Sequence, residues 1–143
     1  PEQRGGSAAC SVIISSKHIG SPEVVSPDVL VVMNQPSYER FAPAVQKNGV
    51  ILYDSHIPTG KVPIREGVRL ISFPAIEMAN EMGMPKAGNT ALLGAMAALD
   101  LIPLSNDILL NALDKSFNSK QAVTQKTRLI FHAAYRWIED WTA

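Results

Sequence analysis

Short apolar runs recur along the first half of the chain and are separated by helical patterns. The runs Val29 to Met33, Val50 to Tyr53 and Val68 to Phe73 are rich in β-branched and aliphatic residues. The first two runs are typical of strands covered on both faces, as in a parallel sheet, and the third is predicted as a further strand. Because helical segments follow Pro36 and span Ala75 to Met82, the pattern predicts an α/β domain with a mainly parallel sheet.

The remaining patterns are an early strand and three C-terminal helices. Strand composition over Ala8 to Ile14 predicts a further strand. Asn89 is expected to cap a helix that runs to Leu101 and is apolar on every side, so this helix should be buried. Ser105 or Asn106 should cap the next helix. The expected inner residues of the last two helices are Ile108, Leu109, Ala112, Leu113 and Phe117, then Ile130, Ala134, Trp137 and Trp141 within Lys120 to Trp141.

Composition narrows the class of protein. The chain has 143 residues, of which 46% are hydrophobic, and it carries 13 basic and 13 acidic side chains. This balance predicts one globular domain with a proper core and gives no excess positive charge for nucleic-acid binding. The single cysteine, Cys10, excludes a disulfide framework or a metal cluster built from this chain alone, and a reducing, cytoplasmic setting fits it best. No apolar run approaches the ~20 residues needed to span a membrane.

The chain begins with Pro1 rather than Met. Its opening Pro-Glu-Gln-Arg-Gly-Gly has neither strand nor helix character, and no signal-peptide pattern explains it. We therefore expect natural sequence to precede Pro1.

A dinucleotide-binding loop is the first candidate chemistry. Asp54 follows Asn34 by 20 residues, about the spacing at which an acidic residue contacts a ribose. The turn from Asn34 to Ser37 contains no glycine, however, and Pro36 has no N–H to offer a phosphate. These residues argue against such a loop here, although a glycine-rich loop ahead of Pro1 stays open.

Hydrolytic and metal chemistry are also disfavoured. Asp54, Ser55 and His56 are adjacent, but a catalytic triad converges from distant positions, and no G-x-S-x-G motif is present. His18, His56 and His132 have no ligand-like spacing for a metal.

Arg4 is followed by Gly5 and Gly6. The pair of glycines can be a plain turn, or it can cradle an anion or a partner's carboxylate beside the arginine. Both interpretations stay open.

Five segments resemble, in the same order, the gamma subunit or gamma domain of the 2-oxoacid:ferredoxin oxidoreductases. They are PEQRGGSAACSVIIS, PDVLVVMNQPSYERF, GVILYDS, FPAIEMANEMG and NTALLGAM, and together they cover nearly the whole chain. The departures are small: Ile76 stands where a small or polar residue is common, Thr127 where Asn is frequent, and Ala134 where Gly is frequent.

The resemblance implies one gamma-type domain over residues 1–143. Its fold would be a Rossmann-like, mainly parallel sheet with flanking helices and a helical C-terminal part, lacking the family's first strand-helix unit. The implied enzyme oxidatively decarboxylates a 2-oxoacid to an acyl-coenzyme A ester and reduces ferredoxin. In this family thiamine diphosphate, magnesium and iron-sulfur clusters are held by partner subunits and coenzyme A is a co-substrate. The implied partners are alpha and beta subunits, with delta as an option, and ferredoxin through the complex; no catalytic group is expected from this chain.

The turn at Asn34 lies where ligand crevices form in open α/β sheets, at the carboxyl edge of the strands. Together with the resemblance, this position predicts a set of residues that face the catalytic subunits or coenzyme A. The set is Arg4, Gly5, Gly6, Asn34, Ser55 and Asn89. Ordinary turn and cap roles are the alternative for each of them.

The resemblance favours 2-oxoglutarate or a branched-chain oxoacid over pyruvate as the substrate. Two other interpretations stay open. The chain could be a binding or assembly module that has this fold without a decarboxylating partner, or it could be the gamma-like part of an indolepyruvate oxidoreductase.

Overall fold

The structure is a computed structural model that describes residues 8–117 and 121–143. Arg4, Gly5 and Gly6, and the predicted helix start at Lys120, lie outside the described residues. The chain groups into two compact units. The first unit takes in the residues up to 53 together with 57–71, and the second takes in 54–56 and 72–143.

Three strands form one sheet. β1 spans Val29–Val32, β2 spans Val50–Asp54 and β3 spans Arg69–Phe73, in the spatial order β1-β2-β3. β1 and β2 are parallel and begin level with each other, with Val29 opposite Val50. The prediction of an α/β fold with a mainly parallel sheet is therefore confirmed.

The helix of the first unit, α1, spans Gln35–Phe41 and continues as one 3₁₀ turn over Ala42–Ala44. Asn34 caps it, because its Oδ1 accepts the N–H of Ser37 at 2.9 Å. The regular helix ends at Phe41, and Pro43, which has no N–H to continue the helical hydrogen bonds, lies in the 3₁₀ turn. The core of this unit comprises Val32, Tyr38, Ala42, Val45, Ile51 and Ile57.

The second unit is largely helical. Its helices are α2 (Ala75–Glu81), α3 (Gly88–Ala98), α4 (Asn106–Ser116) and α5 (Gln121–Thr142). α3 packs along α5 and is buried around most of its circumference, as its uniformly apolar sequence predicts. Gly83 has a φ of +71°, a left-handed conformation that suits the end of α2. Within the described ranges, no helix has both the length and the apolar character needed to cross a membrane.

The prediction of a strand over Ala8 to Ile14 is wrong. This segment has no regular secondary structure, and Val12 is 76% exposed. A strand needs a neighbour for its backbone N–H and C=O groups, and no strand in the described part of the chain pairs with this segment. Apolar composition alone therefore does not make it a strand.

The predicted cap at Asn89 is also wrong. Asn89 is the second residue of α3, and the N-cap position belongs to Ala87. The backbone explains the earlier start, because the N–H groups of Thr90 and Ala91 both donate to the carbonyl of Ala87, at 3.0 and 3.1 Å. The cap predicted at Ser105 is confirmed, since its Oγ accepts the N–H of Ile108 at 3.4 Å.

The inner faces of the last two helices differ in part from the prediction. In α4, Ile108 is 53% exposed, and the buried residues are Leu109 and Leu110. In α5, Trp141 is 55% exposed, although the predicted Ile130 and Ala134 are fully buried. The predicted stripe missed three further buried residues of α5, which are Thr127, Phe131 and Ile138.

A two-point ion pair links α4 to α5. Nε of Arg128 donates to Oδ1 of Asp114 at 2.9 Å, and Nη2 donates to Oδ2. These hydrogen bonds hold the pKa of the Asp114 carboxyl below its ordinary value. A carboxyl group whose pKa is lowered by folding contributes stability above its unfolded pKa, and this stability is lost as the pH falls through the folded pKa.

We expect the unfolding free energy of Arg128→Met to fall less steeply at acid pH than that of the wild type. The wild type should lose the contribution of this pair progressively as the pH falls from the ordinary pKa of an aspartate, about 4, through the lower folded pKa of Asp114, whereas the variant has no such contribution to lose. Urea unfolding between neutral and acid pH measures the difference. Lys126→Met is the control, because it removes an exposed cation from the same helix. If the difference in unfolding free energy between wild type and variant stayed constant over the whole pH range, the ion pair would not be the cause of the acid sensitivity.

Candidate functional site

Asp54, the last residue of β2, is completely buried. Its Oδ2 accepts the N–H of Ile76, in the first turn of α2, at 2.9 Å. Its Oδ1 accepts the backbone N–H of His56 at 3.1 Å. A carboxylate without water needs such donors. The Asp54 side chain therefore ties the turn after β2 to the start of α2.

The imidazole of His56 is held by the same carboxylate. Its Nδ1 lies 2.9 Å from Oδ1 of Asp54, while the side chain is 64% exposed. A carboxylate oxygen only accepts hydrogen bonds, so Nδ1 of His56 is the donor in this contact and Nε2 is the ring nitrogen left without it. The result is an oriented imidazole that can accept a proton or a hydrogen bond through Nε2.

A pocket of about 400 Å³ adjoins this imidazole. It is lined by His56, Ile76, Glu77, Asn80 and Glu81. Glu77 and Glu81 are four residues apart on α2, so both carboxylates lie on one face of the helix. Two negative charges beside the imidazole make the pocket unfavourable for phosphate groups and compatible with a cationic group.

The predicted site residues fall in separate parts of the structure. Asn34 is an exposed residue of the first unit and caps α1. Ser55 and Asn89 are exposed residues of the second unit. The backbone N–H of Ser55 donates to Phe73 at 3.0 Å, and Oδ1 of Asn89 accepts the N–H of Thr90 at 3.0 Å. Within the described ranges, no hydrogen bond joins Ser55 to Asn89.

Sequence reasoning did not identify the pairing of Asp54 with His56. It weighed Asp54 as a ribose contact, His56 as a metal ligand and both as neighbours of Ser55 in a triad, but not as a pair. A turn follows β2 and lets residues two apart meet. The available signal was an acid at the end of a buried strand with a histidine two residues later. Residues 8–117 and 121–143 contain no hydrogen bond between Ser55 and His56, and no group of three or more His, Cys, Asp or Glu residues that could hold a metal ion.

The sequence of this chain matches a known protein family. The family model described as pyruvate ferredoxin/flavodoxin oxidoreductase matches residues 1–137. The chain belongs to this family. The resemblance drawn from the five sequence segments is therefore confirmed.

Two related proteins align with almost the whole chain. Ketoisovalerate oxidoreductase subunit VorA of Methanothermobacter marburgensis is 41% identical over 137 residues, covering 96% of this chain and 28% of that protein. 2-Oxoglutarate synthase subunit KorC of Methanocaldococcus jannaschii is 30% identical over 137 residues, covering 94% of this chain and 71% of that protein. The chain thus spans less than a third of the VorA relative and most of the KorC relative.

Two solved structures share the fold of this family member. The gamma subunit of a keto/oxoacid ferredoxin oxidoreductase from Geobacter sulfurreducens has a TM-score of 0.67 at 23% identity, covering 79% of this chain and 64% of that chain. The 2-oxoglutarate:ferredoxin oxidoreductase of Magnetococcus marinus, solved with 2-oxoglutarate, coenzyme A and succinyl-coenzyme A, has a TM-score of 0.71 at 22% identity. It covers 88% of this chain and 22% of that chain. At these identities the likeness concerns the fold.

Proposed function

We propose that this chain is the gamma domain of a 2-oxoacid:ferredoxin oxidoreductase. The complex would oxidatively decarboxylate a 2-oxoacid, join the acyl group to coenzyme A and pass two electrons to ferredoxin. The observation that carries the proposal is the 41% identity to the ketoisovalerate oxidoreductase subunit over 96% of the chain. Similarity of fold alone, without this sequence identity, would not point to one particular function, because one fold serves many functions.

In this proposal the chain supplies an interaction surface and no catalytic group. Thiamine diphosphate, magnesium and the iron-sulfur clusters would lie on alpha and beta subunits, with delta as an option. The chemistry of this chain favours that division, because a cluster takes about four cysteine ligands and the chain has one cysteine. Ferredoxin would be reached through the complex, in the cytoplasm. The residues proposed to face the partners or coenzyme A, each considered by itself, are Arg4, Gly5, Gly6, Asn34, Ser55 and Asn89, within one gamma-type domain over residues 1–143.

A branched-chain 2-oxoacid is the favoured substrate of the complex, and 2-oxoglutarate is the second candidate. Subunits named for ketoisovalerate oxidation from two Methanothermobacter species are 41% and 39% identical to this chain. The subunit named for 2-oxoglutarate synthesis is 30% identical over a similar length. The higher identity supports the branched-chain class.

Purification of the full-length protein with its partners from native cells tests this function. Mass spectrometry identifies the co-purifying chains, and coenzyme A-dependent reduction of a viologen dye is measured with ketoisovalerate, 2-oxoglutarate, pyruvate and indolepyruvate. The expected result is thiamine- and cluster-binding partners with the highest kcat/KM on a branched-chain oxoacid. A protein that purifies alone and reduces no dye would instead indicate a binding or assembly module. The highest kcat/KM on indolepyruvate would instead identify the chain as the gamma-like part of an indolepyruvate oxidoreductase.

Asn34 offers a test that separates a contact with partners from helix capping. Asn34→Ser should keep the cap of α1, because a serine hydroxyl accepts the N–H of residue 37 about as well as an asparagine does. The unfolding free energy should therefore change little, while assembly with the partner subunits or the KM for coenzyme A should worsen several-fold. Thermal unfolding and the dye assay measure the two effects.

The control for the Asn34 experiment is Ser105→Ala, which removes the cap of α4. It should cost about 1 kcal/mol of stability and leave assembly unchanged. Full assembly and an unchanged KM for coenzyme A in Asn34→Ser would leave Asn34 with its capping role alone.

A further inference from the structure

The sequence contains one Asn-Gly pair, Asn48-Gly49, in the turn that precedes β2. Asn-Gly is the dipeptide most prone to deamidation, because glycine has no side chain to hinder the attack of its own backbone nitrogen on the asparagine carboxamide. Asn48 is exposed, so water and base reach this carboxamide. The pair is therefore a candidate site of covalent modification, and it has no part in the proposed enzymatic function.

The reaction needs only these two residues and water. The nitrogen of Gly49, after losing its proton, attacks Cγ of Asn48. A C–N bond closes a succinimide ring, the bond from Cγ to Nδ2 breaks, and the nitrogen leaves as ammonia after taking up a proton. Water then opens the ring at one of its two carbonyl groups, so the product is either aspartate or isoaspartate.

The folded turn holds the attacking nitrogen. The N–H of Gly49 donates to the carbonyl of Gln46 at 2.9 Å and closes a four-residue turn. Asn48 is the third residue of this turn and has a φ of +63°, a conformation that asparagine tolerates better than most residues. Because the proton of Gly49 is shared with a carbonyl, the turn must open before this nitrogen becomes available.

Close packing around Gly49 leaves no room for ring closure. A Cβ built there would lie 2.7 to 2.9 Å from Cγ1 of Val45 and the carbonyl oxygens of Asp28 and Gln46. The carbonyl of Gly49 also accepts the N–H of Arg69, at 2.9 Å. Both backbone groups of Gly49 are therefore fixed, and its nitrogen cannot move toward the neighbouring carboxamide while the turn is intact.

The carboxamide of Asn48 lies against a second turn, at Gly67. A Cβ built on Gly67 would collide with Oδ1 of Asn48 and lie 3.1 Å from its Cγ. The backbone N–H of Asn48 donates to the carbonyl of Glu66 at 3.3 Å. Cyclisation has to turn the carboxamide away from this contact.

We propose that Asn48 is a deamidation site whose reaction is gated by opening of the contact between these two turns of the first unit. The nitrogen and the carboxamide are each held by other groups in the closed form, so only molecules with an open turn react. Isoaspartate adds one carbon to the backbone, so the hydrogen bonds of Gly49 to Gln46 and Arg69 cannot both form again. Modification would thus trap the open turn directly ahead of β2.

Incubation of the full-length protein at mildly alkaline pH, in native buffer and in a series of urea concentrations, tests the proposal. Peptide mapping by mass spectrometry measures the conversion of Asn48 to aspartate and isoaspartate. The rate in native buffer should be lower than that in denaturing urea by about tenfold or more, because only the open fraction reacts. A synthetic peptide of sequence QKNGVI, incubated in the same buffers, corrects for any effect of urea on the chemistry itself.

Gly67→Ala tests whether the second turn holds the reaction back. Gly67 has a φ of +76°, which alanine adopts only with strain, and the new methyl group would displace the Asn48 carboxamide. The variant should deamidate roughly fivefold faster than the wild type in native buffer and at an unchanged rate in denaturing urea. Gly60→Ala is the matched control, because nothing lies within 4 Å of a Cβ built there, and its rate should equal that of the wild type.

Three results would overturn the proposal. Equal rates in native buffer and in denaturing urea would show that the folded turn does not hold the reaction back. Absence of modification in denaturing urea would show that Asn48 is not a deamidation site. A Gly67→Ala variant that keeps its circular dichroism spectrum and reacts no faster than Gly60→Ala would remove the gate. The wild-type urea series decides the question even where Gly67→Ala fails to fold.

Discussion

Replacing Gly94 with alanine is expected to lower the free energy of unfolding of the second unit by about 3 kcal/mol. A Cβ at this position would collide with the backbone carbonyl oxygen of Phe131 and lie 3.1 Å from Cβ of Ala134. Phe131 and Ala134 are fully buried residues of α5, so α3 and α5 could accept the methyl group only by moving apart. The change would therefore loosen the main helix contact of this unit.

The sign of the Gly94 effect is itself informative. In an open helix, alanine is more favourable than glycine by about 1 kcal/mol, so a stabilised variant would show that the close approach is absent. Urea unfolding followed by tryptophan fluorescence measures the loss, because Trp137 and Trp141 lie on α5. Gly60→Ala is the matched control, since nothing lies within 4 Å of a Cβ built there. Adding Ala134→Gly should rescue only part of the loss, because the Phe131 carbonyl belongs to the backbone.

The second large effect is expected at Asp54. Asp54→Ala removes the acceptor for the backbone N–H groups of His56 and Ile76 and for the His56 ring. Hydrogen bonds to a charged group contribute about 1.5–3 kcal/mol each, but part of this is regained where water replaces the carboxylate. We therefore expect a net loss of about 3 kcal/mol, with the start of α2 and the His56 pocket becoming disordered.

Two further variants test the cause of the Asp54 effect. Asp54→Asn keeps the size of the side chain but offers one acceptor oxygen and turns an N–H₂ group toward N–H donors, so it should recover less than half of the loss. Asp28→Ala is the control, because Asp28 is exposed and accepts only one described side-chain hydrogen bond, from Gln46. It should change the free energy of unfolding by about 0.5 kcal/mol or less.

Equal effects of Asp28→Ala and Asp54→Ala would contradict the structural role given to the buried carboxylate. Hydrogen exchange of the Ile76 amide should rise in both Asp54 variants.

Local signals in the sequence predicted several features of the fold correctly. The apolar runs identified β1, β2 and β3 to within a residue at each end. Of these, β2 is buried along most of its length, as a covered parallel strand requires, whereas β3 is exposed at Arg69, Leu70 and Ser72. Ser105 was correctly assigned as a cap, since its hydroxyl acts on a backbone N–H three residues away. The family resemblance also came from sequence, through five ordered segments that match residues 1–137 of the family model.

The failures have a common physical cause. Ala8 to Ile14 has the composition of a strand, but strand formation depends on a neighbouring backbone that the segment itself cannot specify. Trp141 repeats the spacing of the buried residues on α5 and is nevertheless 55% exposed. Burial depends on which other elements cover the helix at that position along its axis, and the spacing alone does not specify them. Asn89 is a good capping residue, yet backbone bonds to Ala87 start α3 two residues earlier.

The sequence by itself therefore determined the fold class, the family and those helix ends at which a single residue acts on the nearby backbone. Ser105 is the example, because a capping hydroxyl has its effect within one turn. Only the tertiary structure decided the features that depend on distant residues. The contact of Gly94 with Phe131 and the bond from Ile76 to Asp54 join positions 37 and 22 residues apart, and their energies come from close packing and exclusion of water that no local pattern encodes.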